Sequence, residues 1–149
     1  MIGFDELEIK DTFKKDLIEE FSKDDVYECL GSEVYIYSTQ RKEYTSFPCI
    51  SIRLLDNNTN TRYSTTENVE NFTNFTFEAD IYSQDLDKYD RDDAVVKIAS
   101  LLISSLQAKY KMSVTMNQNQ PNLNKDTYRR IVRMTGIYDN KHNMIYQNY

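Results

Sequence analysis

The sequence contains no tryptophan, one histidine, two cysteines, two prolines and three glycines in 149 residues. So little glycine and proline excludes collagen-like, proline-rich and linker-dominated proteins. One histidine excludes a metal site made of several histidines within this chain. The sequence has no C-x-x-C pair, Walker A loop, G-x-G-x-x-G motif or G-x-S-x-G motif. We therefore expect no enzymatic activity, no cofactor, no metal and no small-molecule substrate.

Charge and hydropathy narrow the possible partners. The net charge is −6 and the isoelectric point about 4.8. Such an acidic chain is a poor general binder of nucleic-acid phosphates, although it suits a surface past which DNA slides. No apolar run approaches the ~20 residues of a membrane-spanning helix, and no secretory signal is present. We therefore expect no membrane contact, assembly in the cytoplasm, and reduced thiols at Cys29 and Cys49, with Cys49 buried.

Hydrophobic periodicity predicts two main helices and several strands. Residues 5–22 and 91–111 carry apolar side chains at helical spacing, in the second case Val95, Ile98, Ala99, Leu102 and Leu106. Alternating or β-branched runs predict strands at residues 34–37, 47–55, 75–82, 112–116, 128–138 and 144–146. The strands fall mostly in adjacent runs. The sequence therefore predicts one α+β domain over residues 1–149, with a mostly antiparallel sheet and two main helices packed on one face.

Two long polar stretches separate these elements. Residues 56–74 and 117–126 are predicted loops, and residues 61–65 alternatively form a hairpin arm because they have β-propensity. Loops of this length are commonly functional. We therefore expect Asn60, Arg62, Asn119 and Asn122 to contact a partner; a solvated insertion is the alternative.

Two polar features have competing interpretations. Five aspartates lie just before or within the start of the second main helix: Asp85, Asp87, Asp90, Asp92 and Asp93. Capping by Asp90 and compensation of the helix dipole explain them better than a hard-cation site, because the glycine and terminal glutamate of an EF-hand are missing. His142 lies in a predicted turn, where it is either solvated or a pH sensor.

The most basic segment, together with nearby tyrosines, is a candidate interface. Arginines mixed with aromatic residues can bind nucleic acid, but the rest of the chain is acidic. Ion pairs with a neighbouring subunit fit better, with surface pairs inside one subunit as the alternative. The candidate residues of this interface are Tyr128, Arg129, Arg130, Arg133, Tyr138 and Tyr146.

Five motifs occur in order along the chain: V-Y-I-Y at residues 34–37, F-P-C-I-S-I at 47–52, D-I-Y-S at 80–83, the R-R-x-x-R-x-x-G-x-Y strand at 129–138 and M-I-Y at 144–146. Their order and spacing over nearly the whole chain resemble the tail-terminator, or tail-to-head joining, proteins of long-tailed bacteriophages and phage-tail-like particles. The motifs are packing patterns and not catalytic signatures.

The resemblance implies an α+β virion protein of the tail or neck that forms a hexameric ring. Such a ring ends the tail tube at its head-proximal side and presents a surface to the head-side connector. Its partners would be other copies of the chain, the tube protein and the connector, with genomic DNA passing through the centre without sequence-specific binding. The alternatives are another connector or tube-like subunit, a small metal-dependent nuclease that uses the acidic cluster, and a monomeric binding module.

Overall fold

A computed structural model describes residues 4–38, 46–59, 72–120 and 126–148. The helices are α1 Glu6–Phe21, α2 Asp24–Leu30 and α3 Arg91–Lys109. The strands are β1 Tyr35–Tyr37, β2 Cys49–Thr59, β3 Phe72–Ser83, β4 Ser113–Gln120, β5 Tyr128–Asp139 and β6 Met144–Ile145.

All six described strands belong to one sheet with the order β1-β2-β3-β5-β4, and β6 continues the β4 side by pairing with the end of β5. The β1–β2 pair is parallel, whereas the other described pairs are antiparallel. The predicted α+β class is confirmed, in the form of a mixed sheet with helices on one side.

One hydrophobic core joins that side of the sheet to the helices. Phe13 of α1 packs against Phe77 and Phe75 of β3, with ring centroids 4.8 and 5.9 Å apart. It also meets Tyr110 edge-on at 5.6 Å. The predicted stripe of α3 is buried in the same core, together with Ile50, Ile52, Val132 and Met134 of the neighbouring strands. The pattern therefore identified the buried face of α3 correctly.

The starts of α1 and α3 are capped by aspartates, although in α3 not by the expected one. The Asp5 carboxylate accepts hydrogen bonds from the backbone amides of Leu7 and Glu8 at the start of α1. Asp90 occupies the cap position of α3, but its side chain makes no capping hydrogen bond. Instead the Asp85 carboxylate accepts from the amide of Arg91 at 2.9 Å. The expected role of Asp90 is thus taken by a residue from the preceding turn.

Three further sequence predictions require correction. The short helix α2 was missed. Strand β2 continues to Thr59 and β3 already begins at Phe72, so the predicted loop at 56–74 is shorter at both ends. Likewise β4 continues through residues 117–120, which were predicted as loop. The reason is the same for the three strands: pairing with a long neighbouring strand extends the sheet through polar residues of low β-propensity.

Candidate assembly surfaces

The side of the sheet away from the helices carries charged side chains. In the register of β3 with β5, Glu78 lies opposite Arg133, and Tyr82 lies opposite Arg129. Arg53 of β2 lies opposite Glu78 on its other flank. Because side chains alternate along a strand, these residues and Asp80 project from the side opposite the core. We call the set Arg53, Glu78, Asp80, Arg129 and Arg133 the arginine face.

Glu78 is the centre of the arginine face. Its side chain is 1% exposed, although it lies outside the hydrophobic core. Arg53 donates to Oε1 from Nε and Nη2 at 2.9 and 2.6 Å, and Arg133 donates from Nε to Oε2 at 2.6 Å. Burial opposes ionisation of this carboxyl, but the two arginines outweigh it and lower its pKa. Both arginine side chains remain over 40% exposed, so they shield Glu78 while facing outward.

Asp80 and Arg129 form a second, less complete pair. Arg129 Nη2 donates to Asp80 Oδ2 at 3.1 Å, and its guanidinium lies 5.7 Å from the centre of the Tyr82 ring. Within the described part of the chain, Oδ1 of Asp80 and Nε of Arg129 are buried without a hydrogen-bond partner. Burial therefore dominates and raises the pKa of Asp80 despite the nearby arginine. The two carboxyls of this face thus have opposite pKa shifts.

The third arginine of the basic segment lies on the other side of β5. Arg130 donates from Nε and Nη1 to the side-chain oxygens of Asn117 and Asn119, each at 2.7 Å. Nearby, the guanidinium of Arg91 lies 5.0 Å from the centre of the Tyr128 ring. The arginines of the basic segment therefore lie on both faces of β5, as the alternation of side chains along the predicted strand requires. As a consequence, the basic segment does not form one continuous patch.

Of the remaining candidate interface residues, one is buried, one lies at the surface and three lie outside the described residues. Tyr138 is 1% exposed and meets Phe4 edge-on within the core, so the structure places it against its own subunit. Tyr146 is at the surface and stacks on Phe72, with ring centroids 5.5 Å apart. Three candidates lie outside the described residues: Asn60, Arg62 and Asn122.

Strand β4 forms an open edge of the sheet. It pairs with β5 on one side, and no other described strand pairs with its second side. None of its side chains is fully buried, and Val114 is 38% exposed. The strand contains no charged residue and no proline, two of the devices that protect an edge from pairing with another chain, although its register shifts between Val114 and Met116. Residues 116–120 therefore offer a regular edge without a charge or a proline.

The aspartate cluster lies at the end of the molecule where β3 has ended and α3 begins. Asp90, Asp92 and Asp93 are exposed, and one carboxylate oxygen of each lies within 4.8 Å of the others. Their position at the helix start matches the predicted compensation of the helix dipole.

His142 contacts the carboxylate of Asp139. Its Nδ1 lies 2.6 Å from Oδ2 of Asp139, while Oδ1 of Asp139 accepts from the amides of Lys141 and His142. Burial opposes ionisation of Asp139, but the contacts with His142 lower its pKa. The histidine is exposed, as expected for a turn, but it is also held by this carboxylate.

The sequence patterns identified Arg129 and Arg133 but missed Arg53, Glu78 and Asp80. Charged residues alternating with apolar ones along a strand are typical of a solvated face. The alternation shows that Glu78 and Asp80 share a face, which was the available signal. It does not show that side chains from two neighbouring strands cover them.

No protein-family model matches this chain, and a search of curated proteins finds no match either. None of the helices in the described ranges is both long and apolar enough to cross a membrane.

Proposed function

We propose that this protein is a structural virion subunit that assembles into a ring, which ends the tube of a phage-type tail and presents a surface to the head-side connector. The motif order over nearly the whole chain supports the tail-terminator class. The observation that carries assembly is the open edge formed by β4. Six copies per ring, the tube protein and the connector as partners, and location in the tail or neck are parts of this proposal.

Ordering β4 within a single subunit has an entropic cost that assembly would help to offset. Fixing the backbone of one residue costs about 1–2 kcal/mol, which burial of apolar side chains normally offsets. No side chain of β4 is fully buried, so within one subunit this offset is small. A strand from another copy would pair with the open backbone groups, and a closed ring would leave no such edge exposed.

A matched pair of substitutions tests this proposal. Val114 of β4 and Val96 of α3 are exposed to nearly the same extent, 38% and 40%. Val114→Lys places a charge beside the open edge and should block strand addition, whereas Val96→Lys adds the same charge elsewhere. We expect both variants to fold, but only Val114→Lys to lose ring formation and to leave tails of uncontrolled length in electron micrographs.

Imaging of the native particle provides the decisive control. A labelled copy of this chain should appear in a six-fold ring where the tail tube ends. A single copy, or an arrangement that is not a ring, contradicts the proposal. Metal-dependent cleavage of DNA by the purified chain would instead favour the nuclease alternative.

A further inference from the structure

Opposite charges are segregated on two separate surfaces of the subunit. The first is the arginine face of the sheet. The second, which we call the acidic end, contains six exposed carboxylates: Glu28, Asp85, Asp87, Asp90, Asp92 and Asp93. Lys88 joins its two parts, because its Nζ donates to the backbone oxygen of Glu28 at the end of α2. Within residues 85–93 the cations are Lys88 and Arg91, against six carboxylates in the acidic end, so the described part of this surface remains negative.

The arginine face has unused hydrogen-bonding capacity. Three guanidinium groups surround two carboxylates, so the face carries an excess positive charge in a chain whose net charge is −6. In their hydrogen bonds to Glu78, Arg53 uses Nε and Nη2 and Arg133 uses Nε, while both side chains stay over 40% exposed. The buried Nε of Arg129 has no acceptor among the described residues, and the adjacent Oδ1 of Asp80 has no donor. The pairing within one subunit is therefore incomplete.

We infer that the arginine face docks onto the acidic end of a second copy of this chain. Guanidinium groups pair with carboxylates through short, charge-assisted and frequently bidentate hydrogen bonds. Because the two surfaces are different, the contact is heterologous, so it repeats from head to tail and closes into a ring if the rotation between subunits permits. This inference rests on the proposed function and identifies the partner surfaces within it.

Charge complementarity favours a second copy over nucleic acid as the occupant. A nucleic-acid backbone would approach the arginine face only against the repulsion of the acidic chain around it. A second copy supplies exposed carboxylates, three of which lie within 4.8 Å of one another, and pairing them with arginines reduces their like-charge repulsion. Binding of DNA to the arginine face is therefore an outcome that would overturn the inference.

The first experiment reverses charge on the acidic end and leaves the arginine face intact. Asp87→Lys with Asp93→Lys is compared with Asp11→Lys with Glu19→Lys, which changes the net charge equally at exposed sites on α1. Sedimentation velocity of the full chain at low ionic strength measures association. We expect the first variant to weaken association about tenfold or more, and the control to match the wild type. Raising the salt from ~0.01 M to ~1 M, which shortens the Debye length from ~30 to ~3 Å, should weaken wild-type association as well.

The second experiment locates the contact. Arg53→Lys retains the charge and provides an amine that a zero-length carbodiimide can join to a neighbouring carboxylate. In a mixture of isotopically labelled and unlabelled copies, we expect mixed-label peptides that join position 53 to residues 85–93. Circular dichroism verifies that each variant is folded.

The outcomes separate this inference from the proposed function. Association that is insensitive to salt and to charge reversal at the acidic end, or cross-links from position 53 to other segments only, overturns the docking contact but not the ring. A chain that remains monomeric at low salt also overturns the contact, because it requires only copies of this chain. Ring formation in the particle is then decided separately by imaging. Retention of DNA that is lost on Arg53→Gln would assign the face to nucleic acid instead.

Discussion

Replacing Glu78 with glutamine removes the charge at the centre of the arginine face while keeping the size of the side chain. The carboxylate is 1% exposed and accepts three hydrogen bonds from Arg53 and Arg133. Glutamine can accept at one oxygen but presents an NH₂ group to the other arginine, so at least one donor faces a donor. We therefore expect Glu78→Gln to lower the free energy of unfolding.

The size of this loss in unfolding free energy depends on how exposed Arg53 and Arg133 are to solvent. Breaking a buried ion pair by removing one member costs about 3–5 kcal/mol when the remaining charge stays buried. Here Arg53 and Arg133 are more than 40% exposed, so water can solvate them once Glu78 is neutral. That solvation reduces the cost, and we expect a loss of about 2 kcal/mol, close to one charge-assisted hydrogen bond.

Urea unfolding followed by far-UV circular dichroism measures this loss, since the chain has no tryptophan to report by fluorescence. The pKa of Glu78 is lowered in the folded state, so its contribution is fully present above the unfolded pKa of about 4.3. It is lost as the pH falls through the lower folded pKa. The difference between wild type and Glu78→Gln should thus be constant near neutral pH and shrink in acid.

Asp80→Asn is the matched control on the same strand. The pKa of Asp80 is raised, mainly by burial, so its ionised form is disfavoured in the folded state. Its contribution to stability is present below the unfolded pKa of about 3.9 and lost as the pH rises through the raised folded pKa. We therefore expect Asp80→Asn to cost less than Glu78→Gln at neutral pH. A loss below about 0.5 kcal/mol for Glu78→Gln, typical of surface changes, would refute this reasoning.

Three further substitutions test the core. Gly136→Ala should destabilise the fold by about 1–3 kcal/mol, because an added Cβ would lie 2.6 Å from Cζ of the buried Phe75 ring. Adding Phe75→Leu to this variant should recover part of the lost stability. A double variant that recovers nothing would contradict the steric cause. Leu102→Ala should cost about 2–5 kcal/mol in urea unfolding, since the side chain is fully buried, and a change typical of the surface would show that α3 faces another way. Tyr110→Phe should cost about 1–2 kcal/mol by thermal unfolding, because the hydroxyl donates to Asp16; an unchanged stability would show that this hydrogen bond contributes nothing.

Sequence periodicity alone determined the fold class and the buried side of each main element. The stripe of α3 and the alternation of Phe75, Phe77 and Ile81 specify which side chains leave water, because burial of apolar area is the dominant favourable term in folding. The same alternation placed Arg130 and Arg133 on opposite faces of β5. These properties are local, since each depends only on the spacing of neighbours along the chain.

Only the tertiary structure decided where strands end and which polar groups are buried. The β2, β3 and β4 strands extend through polar residues because a long neighbour supplies their backbone hydrogen bonds, and propensity carries no information about that neighbour. Glu78 is buried because Arg53 and Arg133 reach it from sequence separations of 25 and 55 residues. Tyr138 is a predicted interface residue, yet Phe4 and the core enclose it. A polar side chain on a sheet is buried when long side chains from neighbouring strands cover it. Sheet order and register decide which side chains are close enough to do so.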